Sequence, residues 1–123
     1  YALAYLNTNN SNITSANFPN LSTLSGINAL YYAFCECKNL KTVTFPELTT
    51  ISGRNALYYA FNNTNLVSVD FPKLTTISAT NAFANTFYNC SNLETLSFPA
   101  LKKISYYGLH WLLKTTTKIK HYV

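Results

Sequence analysis

A Phe-Pro pair recurs at Phe18-Pro19, Phe45-Pro46, Phe71-Pro72 and Phe98-Pro99, in steps of 27, 26 and 27 residues. The flanks repeat in phase. ITSANFP, LKTVTFP, LVSVDFP and LETLSFP lead into the pairs, and NLSTLSG, ELTTISG, KLTTISA and ALKKISY follow them. The string NALYYAF then ends at Phe34 and again at Phe61, and loosens to NAFANTF ending at Phe87. A period of this length marks a solenoid, in which one unit cannot bury its own apolar faces and must stack on its neighbours. Equivalent positions then share one environment and keep one residue type where they are buried.

The columns follow directly. Ile13, Leu40, Leu66 and Leu93 form one, and Ala16, Val43, Val69 and Leu96 the next. Phe18, Phe45, Phe71 and Phe98 form a ring stack, continued by Leu21, Leu48, Leu74 and Leu101, then by Leu24, Ile51, Ile77 and Ile104. Phe34, Phe61 and Phe87 close each coil, and Ala29, Ala56 and Ala82 stay small. In L-x-x-V-x-F, Val43 and Phe45 share one face of a strand and Thr42 and Thr44 the other. Pro46 ends that strand by removing a ladder donor. Leu48 to Ile51 reads as a second, shorter extended piece.

Gly26 and Gly53 are expected at turns with positive φ. Asn28, Asn55 and Asn81, just before Ala-Leu or Ala-Phe, read as N-caps of one or two helical turns per repeat. Asn12, Asn39, Asn65 and Asn92 precede the strand Leu, where an amide can satisfy backbone groups of an adjacent coil. Cys37 and Cys90 share a slot three residues before that Leu, with Asn63 between them, and suit a buried structural thiol. The repeat assigns no role to Cys35.

The unit L-x-x-V-x-F-P-x-L-x-x-I-S-G, followed by a stretch ending A-F and then N-C-x-N-L, resembles the BspA-type leucine-rich repeats over roughly residues 12–105. The resemblance implies a leucine-rich-repeat solenoid: a parallel β-sheet of one short strand per coil, a second short extended segment, and helical turns. It also implies a cell-surface or secreted protein that adheres to a protein or glycan on another cell or on matrix. No catalytic residue carries over from it. The expected organisation is one solenoid over 1–123: a partial N-terminal coil, about four repeats over 12–105, and a divergent cap over 106–123. In that cap, Leu109 to Leu113 reads as a helical turn and Thr115 to Val123 as an alternating strand with Lys118, Lys120 and Tyr122 outward.

Function classes narrow by what the chain lacks. His110 and His121 have no acidic residue near them in sequence, and the three cysteines form no CxxC pair, so no metal and no cofactor is expected. The four acids, Glu36, Glu47, Asp70 and Glu94, fall in different repeat phases. Only Asp70 and Glu94, on neighbouring expected strands, leave room for a two-carboxylate hydrolysis. No nucleophile elbow or phosphate loop is present, and the chain reads as non-enzymatic. The sequence holds no signal-like or membrane-spanning stretch. It starts at Tyr1 and contains no Met, so it reads as a mature chain, an excised domain or part of something larger.

Two surfaces remain as binding candidates. The outward strand row is Ser15, Asn17, Thr42, Thr44, Ser68, Asp70, Thr95 and Ser97, and solenoids present such faces to partners. The second is aromatic: Tyr31, Tyr32, Tyr58 and Tyr59, at least one of each pair being expected at the surface. Two further expectations come from the ends. An open N-terminal coil laid on the C-terminal coil of a second copy would give end-to-end self-association. Lys102, Lys103, Lys114, Lys118 and Lys120 concentrate the net charge of +5 in the last quarter, where an acidic polymer would bind, although nucleic acid is not the expected partner.

Overall fold

A computed structural model describes residues 3–110 and 112, and the backbone of 121–122. The chain coils in parallel. Each coil begins on a front strand, turns at Phe-Pro, makes a two-residue second strand and returns along the back. The front strands are β1 (Ser15–Asn17), β3 (Thr42–Thr44), β5 (Ser68–Asp70), β7 (Thr95–Ser97) and β9 (His121–Tyr122). The second strands are β2 (Thr23–Leu24), β4 (Thr50–Ile51), β6 (Thr76–Ile77) and β8 (Lys103–Ile104). All pairings are parallel, and the second strands form one four-stranded sheet in the order β2-β4-β6-β8.

Stacking is set by the repeated side chains. The rings of Phe18, Phe45, Phe71 and Phe98 lie face to face, with centroids 4.9, 5.3 and 5.1 Å apart. That is close to the spacing of adjacent strands. Phe34, Phe61 and Phe87 form a second stack at 5.6 and 5.9 Å. Edge-on contacts such as Phe45 with Phe61 (6.2 Å, 73°) lock the two stacks together. Leu40, Leu66 and Leu93, with Leu48 and Leu74, and with Ile51 and Ile77, are fully buried between them. The end coils are the thin places: Ile13, Phe18, Leu21 and Leu101 are only partly buried, and Ile104 is 51% exposed.

The front sheet is broken in the middle. β1 pairs with β3, and β5 with β7 and β9, but no ladder joins β3 to β5. The cause is the single 26-residue step. Thr64-Asn65-Leu66 stands where the other coils have Cys37-Lys38-Asn39-Leu40 and Cys90-Ser91-Asn92-Leu93. Losing one residue there shortens the approach to β5. Where Lys41 and Thr42 both donate to the Thr14 carbonyl, the next coil has one bond, from Asn65 N–H to the Leu40 carbonyl (3.1 Å). The same deletion corrects the cysteine column: Thr64, not Asn63, is the counterpart of Cys37 and Cys90, and its hydroxyl lies 3.4 Å from the Cys90 sulfur.

The back of each coil is not helical; the described residues form no helix. It is a ribbon of overlapping four-residue turns. Tyr31, Ala33 and Cys35 donate to the carbonyls three residues earlier (3.1–3.2 Å). The alternate residues Leu30, Tyr32 and Phe34 donate to Ala56, Tyr58 and Ala60 of the next coil (2.7–3.0 Å). A helix would spend every N–H within its own coil and leave none for this ladder. The ribbon needs a left-handed residue at every fourth position: Asn28, Tyr32 and Glu36; Asn55, Tyr59 and Asn63; Asn81, Asn85 and Asn89, all with φ of 52–63°. The asparagines expected as N-caps are therefore left-handed turn residues, a conformation Asn tolerates. A bulky Tyr at φ near 54° stores backbone strain, offset here by ring stacking between coils.

The glycines correct in the same way: none has positive φ. At Gly53 the constraint is approach. Ser52 and Gly53 both donate to the Leu24 carbonyl (2.9 and 3.0 Å), and a Cβ on Gly53 would lie 2.1 Å from the Gly26 oxygen. In the following coil Ser78 donates to the Ile51 carbonyl (3.0 Å), and Ala79 takes the glycine's place.

At the C-terminus, Leu112 donates to the Leu109 carbonyl as another four-residue turn (3.2 Å) in place of the expected helical turn. β9 pairs with β7 so that Tyr122 takes the register position of inward-facing Leu96 and His121 that of Thr95. Residues 111, 113–120 and 123 lie outside the described residues, and with them the expectations for Lys114, Lys118 and Lys120.

Candidate functional site

The broken sheet divides the outward strand row into two halves. In the first, Ser15 pairs with Thr42 and Asn17 with Thr44, and the Thr44 hydroxyl donates to the Asn17 amide oxygen (2.8 Å). In the second, Ser68 pairs with Thr95 and Asp70 with Ser97, and the Ser97 hydroxyl donates to the Asp70 carboxylate. Ser15, Asn17, Thr42, Thr44, Ser68 and Asp70 are exposed, and Thr95 and Ser97 half-buried. Alternation along a three-residue strand explains this: only the middle residue faces the core, so the outer two must face away.

Between the halves lies a cleft of about 340 Å³, with Thr42 and Thr44 on one side and Ser68 and Asp70 on the other. Phe45, Pro46 and Pro72 give it an apolar end. The strand row was legible in the sequence; the cleft was not, although the 26-residue step that creates it was visible.

The four tyrosines lie on the back ribbon and continue in both directions. Tyr31 stacks on Tyr58 (5.1 Å, 7°) and Tyr32 on Tyr59 (5.0 Å, 10°). Tyr5 stacks on Tyr32 (5.6 Å), and Tyr88 tilts against Tyr59 (6.0 Å). The two pair members also touch, Tyr31–Tyr32 at 4.7 Å and Tyr58–Tyr59 at 4.8 Å. All four are half-buried. Burial, and then the neighbouring phenols, push the Tyr32 hydroxyl up to about 12, and Tyr59 rises for the same reasons. Both phenols therefore stay neutral and able to donate at physiological pH. The front row and this array share no residue and form two separate surfaces.

Other polar groups hold the coils together. Lys73 bridges Glu47 (2.9 Å), a solvent-exposed pair of small energetic weight. Asn63 donates to Glu36 (2.8 Å), and Asn39 to the Ser11 carbonyl (2.8 Å). Asn92 donates to the Asn65 amide oxygen, a side-chain ladder in the Asn column. Glu36, Glu47 and Asp70 each take a partner from an adjacent coil. Among the described residues no group of three His, Cys, Asp or Glu side chains comes together as a metal site.

Cys37 donates to the Asn7 carbonyl (3.0 Å) and Cys90 to the Phe61 carbonyl (3.1 Å), while Cys35 accepts from the Asn62 amide (3.3 Å), which gives Cys35 its packing role. All three are free, and burial pushes each thiol above its ordinary range. A buried, protonated thiol is a poor nucleophile. We expect all three to resist a disulfide-exchange reagent at pH 8 in the native state and all three to react once urea unfolds the chain. Rapid native-state labelling of Cys90 would contradict this.

Parallel coils, a repeated Phe-Leu-Ile spine and one short front strand per turn define a solenoid of the leucine-rich-repeat class. A family model for the BspA type leucine rich repeat region matches residues 4–121 in six copies. The chain belongs to that family, which is associated with surface proteins and whose repeats typically serve as interaction scaffolds. No curated protein matches the chain, and no solved structure does. No helix among the described residues is long and apolar enough to cross a membrane.

Proposed function

We propose that the chain is a non-enzymatic recognition module of a cell-surface or secreted protein, and that it holds a protein or glycan partner on its front face, centred on the cleft between β3 and β5. The carrying observation is the interruption itself. Elsewhere the strands close on one another, whereas here four exposed polar side chains, Thr42, Thr44, Ser68 and Asp70, flank an opening of about 340 Å³. Hydroxyls and a carboxylate beside a proline-walled floor suit a polar ligand with an apolar edge.

The test is binding to a printed glycan array and a panel of purified matrix proteins. Thr44→Arg and Ser68→Arg should lower the signal by about tenfold or more, which corresponds to about 1.4 kcal/mol. Thr23→Arg, on the second-strand face, should leave it unchanged. Equal losses from all three variants, or none, would remove the front face from the reading.

A second reading has its own observation. At the N-terminal end Ile13, Ala16, Phe18 and Phe34 border an opening of about 450 Å³, and at the other end Ile104 is 51% exposed. Open coil ends of this kind favour stacking of copies end to end into a fibre or larger assembly. Light scattering over a concentration series separates the two: a constant monomer mass supports the recognition module, and a growing mass supports the assembly.

A further inference from the structure

The tyrosine array has a missing rung. Tyr31, Tyr58, Ala84 and His110 occupy the same place in successive back ribbons, because the residue before each is set by the cross-coil ladder: Leu30 donates to the Ala56 carbonyl, Leu57 to Ala82 and Phe83 to Gly108 (2.7–3.1 Å). Tyr31 and Tyr58 stack at 5.1 Å with their planes 7° apart. The third place holds only the methyl group of Ala84, which is buried at 4% exposure. The fourth carries the His110 ring, with Tyr107 set edge-on to it (5.2 Å, 80°).

A cleft of about 550 Å³ opens there, with Tyr58 on one side, His110 and Tyr107 on the other, and Ala84 lining it between them. Two coil steps separate Tyr58 from His110, about 10 Å at the spacing of stacked strands. One flat ring between them would lie about 5 Å from each, the separation that aromatic pairs adopt.

We propose that this slot takes a planar aromatic side chain of a partner polypeptide, which completes the column. The position over Ala84 offers a methyl group. The polar groups, Thr80, Asn81 and Asn85, line the cleft around it, where their amides and hydroxyl can meet the peptide groups that flank an inserted side chain. This cleft shares no lining residue with the one between β3 and β5, so the inference stands apart from the front-face reading.

The test is an NMR titration of the full ¹⁵N-labelled chain with N-acetyltryptophanamide, and separately with methyl glucoside. The tryptophan derivative should shift the Ala84 and Asn85 amides saturably, and methyl glucoside should not. Ala84→Tyr fills the slot with the ring the first two coils carry, and should weaken binding by about tenfold or more. His110→Ala removes an exposed wall and should weaken it by a smaller factor, which keeps the test decisive if the first variant does not fold. The absence of a saturable shift overturns the proposal. So does undiminished binding by a folded Ala84→Tyr or by His110→Ala, or tighter binding of the glucoside.

Discussion

Replacing Phe71 with alanine is expected to lower stability by about 3–5 kcal/mol. Phe71 is fully buried, with Phe45 and Phe98 on its two faces and Phe83 edge-on at 5.4 Å. Its removal deletes a shared rung, so the coils on both sides lose their contact through it. The walls are held by cross-coil hydrogen bonds and cannot collapse into the gap. Total stability of a domain this size is about 5–15 kcal/mol, so one substitution removes a large fraction of it. Phe18→Ala should cost clearly less, because Phe18 is only partly buried and has a ring stacked on one face. Urea unfolding measures both: the midpoint should fall much further for Phe71→Ala than for Phe18→Ala. Equal shifts would mean that the stack does not act as a continuous column.

The second large effect is expected at a position with no side chain. Gly53→Ala puts a methyl carbon 2.1 Å from the Gly26 carbonyl oxygen, a contact that only backbone displacement can relieve. Displacing the turn weakens the paired bonds from Ser52 and Gly53 to the Leu24 carbonyl. The expected loss is about 2–3 kcal/mol, at the upper end for overpacking. Gly26→Ala is the internal control. Its Cβ would meet nothing nearer than the Ala29 Cβ at 3.8 Å, so its effect should stay within about 0.5 kcal/mol. Thermal or urea denaturation of the two variants side by side distinguishes close approach from turn conformation. If φ were the constraint, both glycines would respond alike.

The Phe-Pro period was enough to place the strands and the core, because a column that is buried in every coil can only be written one way. The segment between Gly53 and Leu66 was harder. Asn-Ala-Leu-Tyr-Tyr carries the marks of a capped helix, since Asn serves equally at an N-cap and in the left-handed region, and Ala and Leu favour helix. The signal that separates the two is in the third copy, where Asn81, Asn85 and Asn89 recur at every fourth residue, the spacing of the left-handed positions. A helix has no use for asparagine at that spacing. Gly53 was read as a conformational residue because that is the commoner reason for a glycine at a turn; its near contact with Gly26 joins residues 27 apart and is invisible to local reasoning.

The two surfaces divide similarly. The outward row from Ser15 to Ser97 follows from strand alternation alone. The cleft within it depends on how β5 responds to one missing residue, which is a property of packing. The vacancy at Ala84 is half legible: aligning NALYYAF with NAFANTF shows a tyrosine replaced by alanine. Its far wall is not, because the fourth coil has diverged, and only the hydrogen bond from Phe83 to Gly108 (3.1 Å) fixes His110 in the same column.

The most direct measurement of the stacked architecture is a set of nuclear Overhauser contacts between methyl groups of Leu40, Val43, Leu66, Val69, Leu93 and Leu96 in a selectively labelled sample. Parallel in-register coils predict contacts between residues 26 or 27 apart, Leu66 with Leu93 and Val69 with Leu96 among them, and none between second and fourth coils such as Leu40 with Leu93. Strong contacts that skip a coil, or the absence of those between neighbours, would contradict a single column of side chains running through the chain.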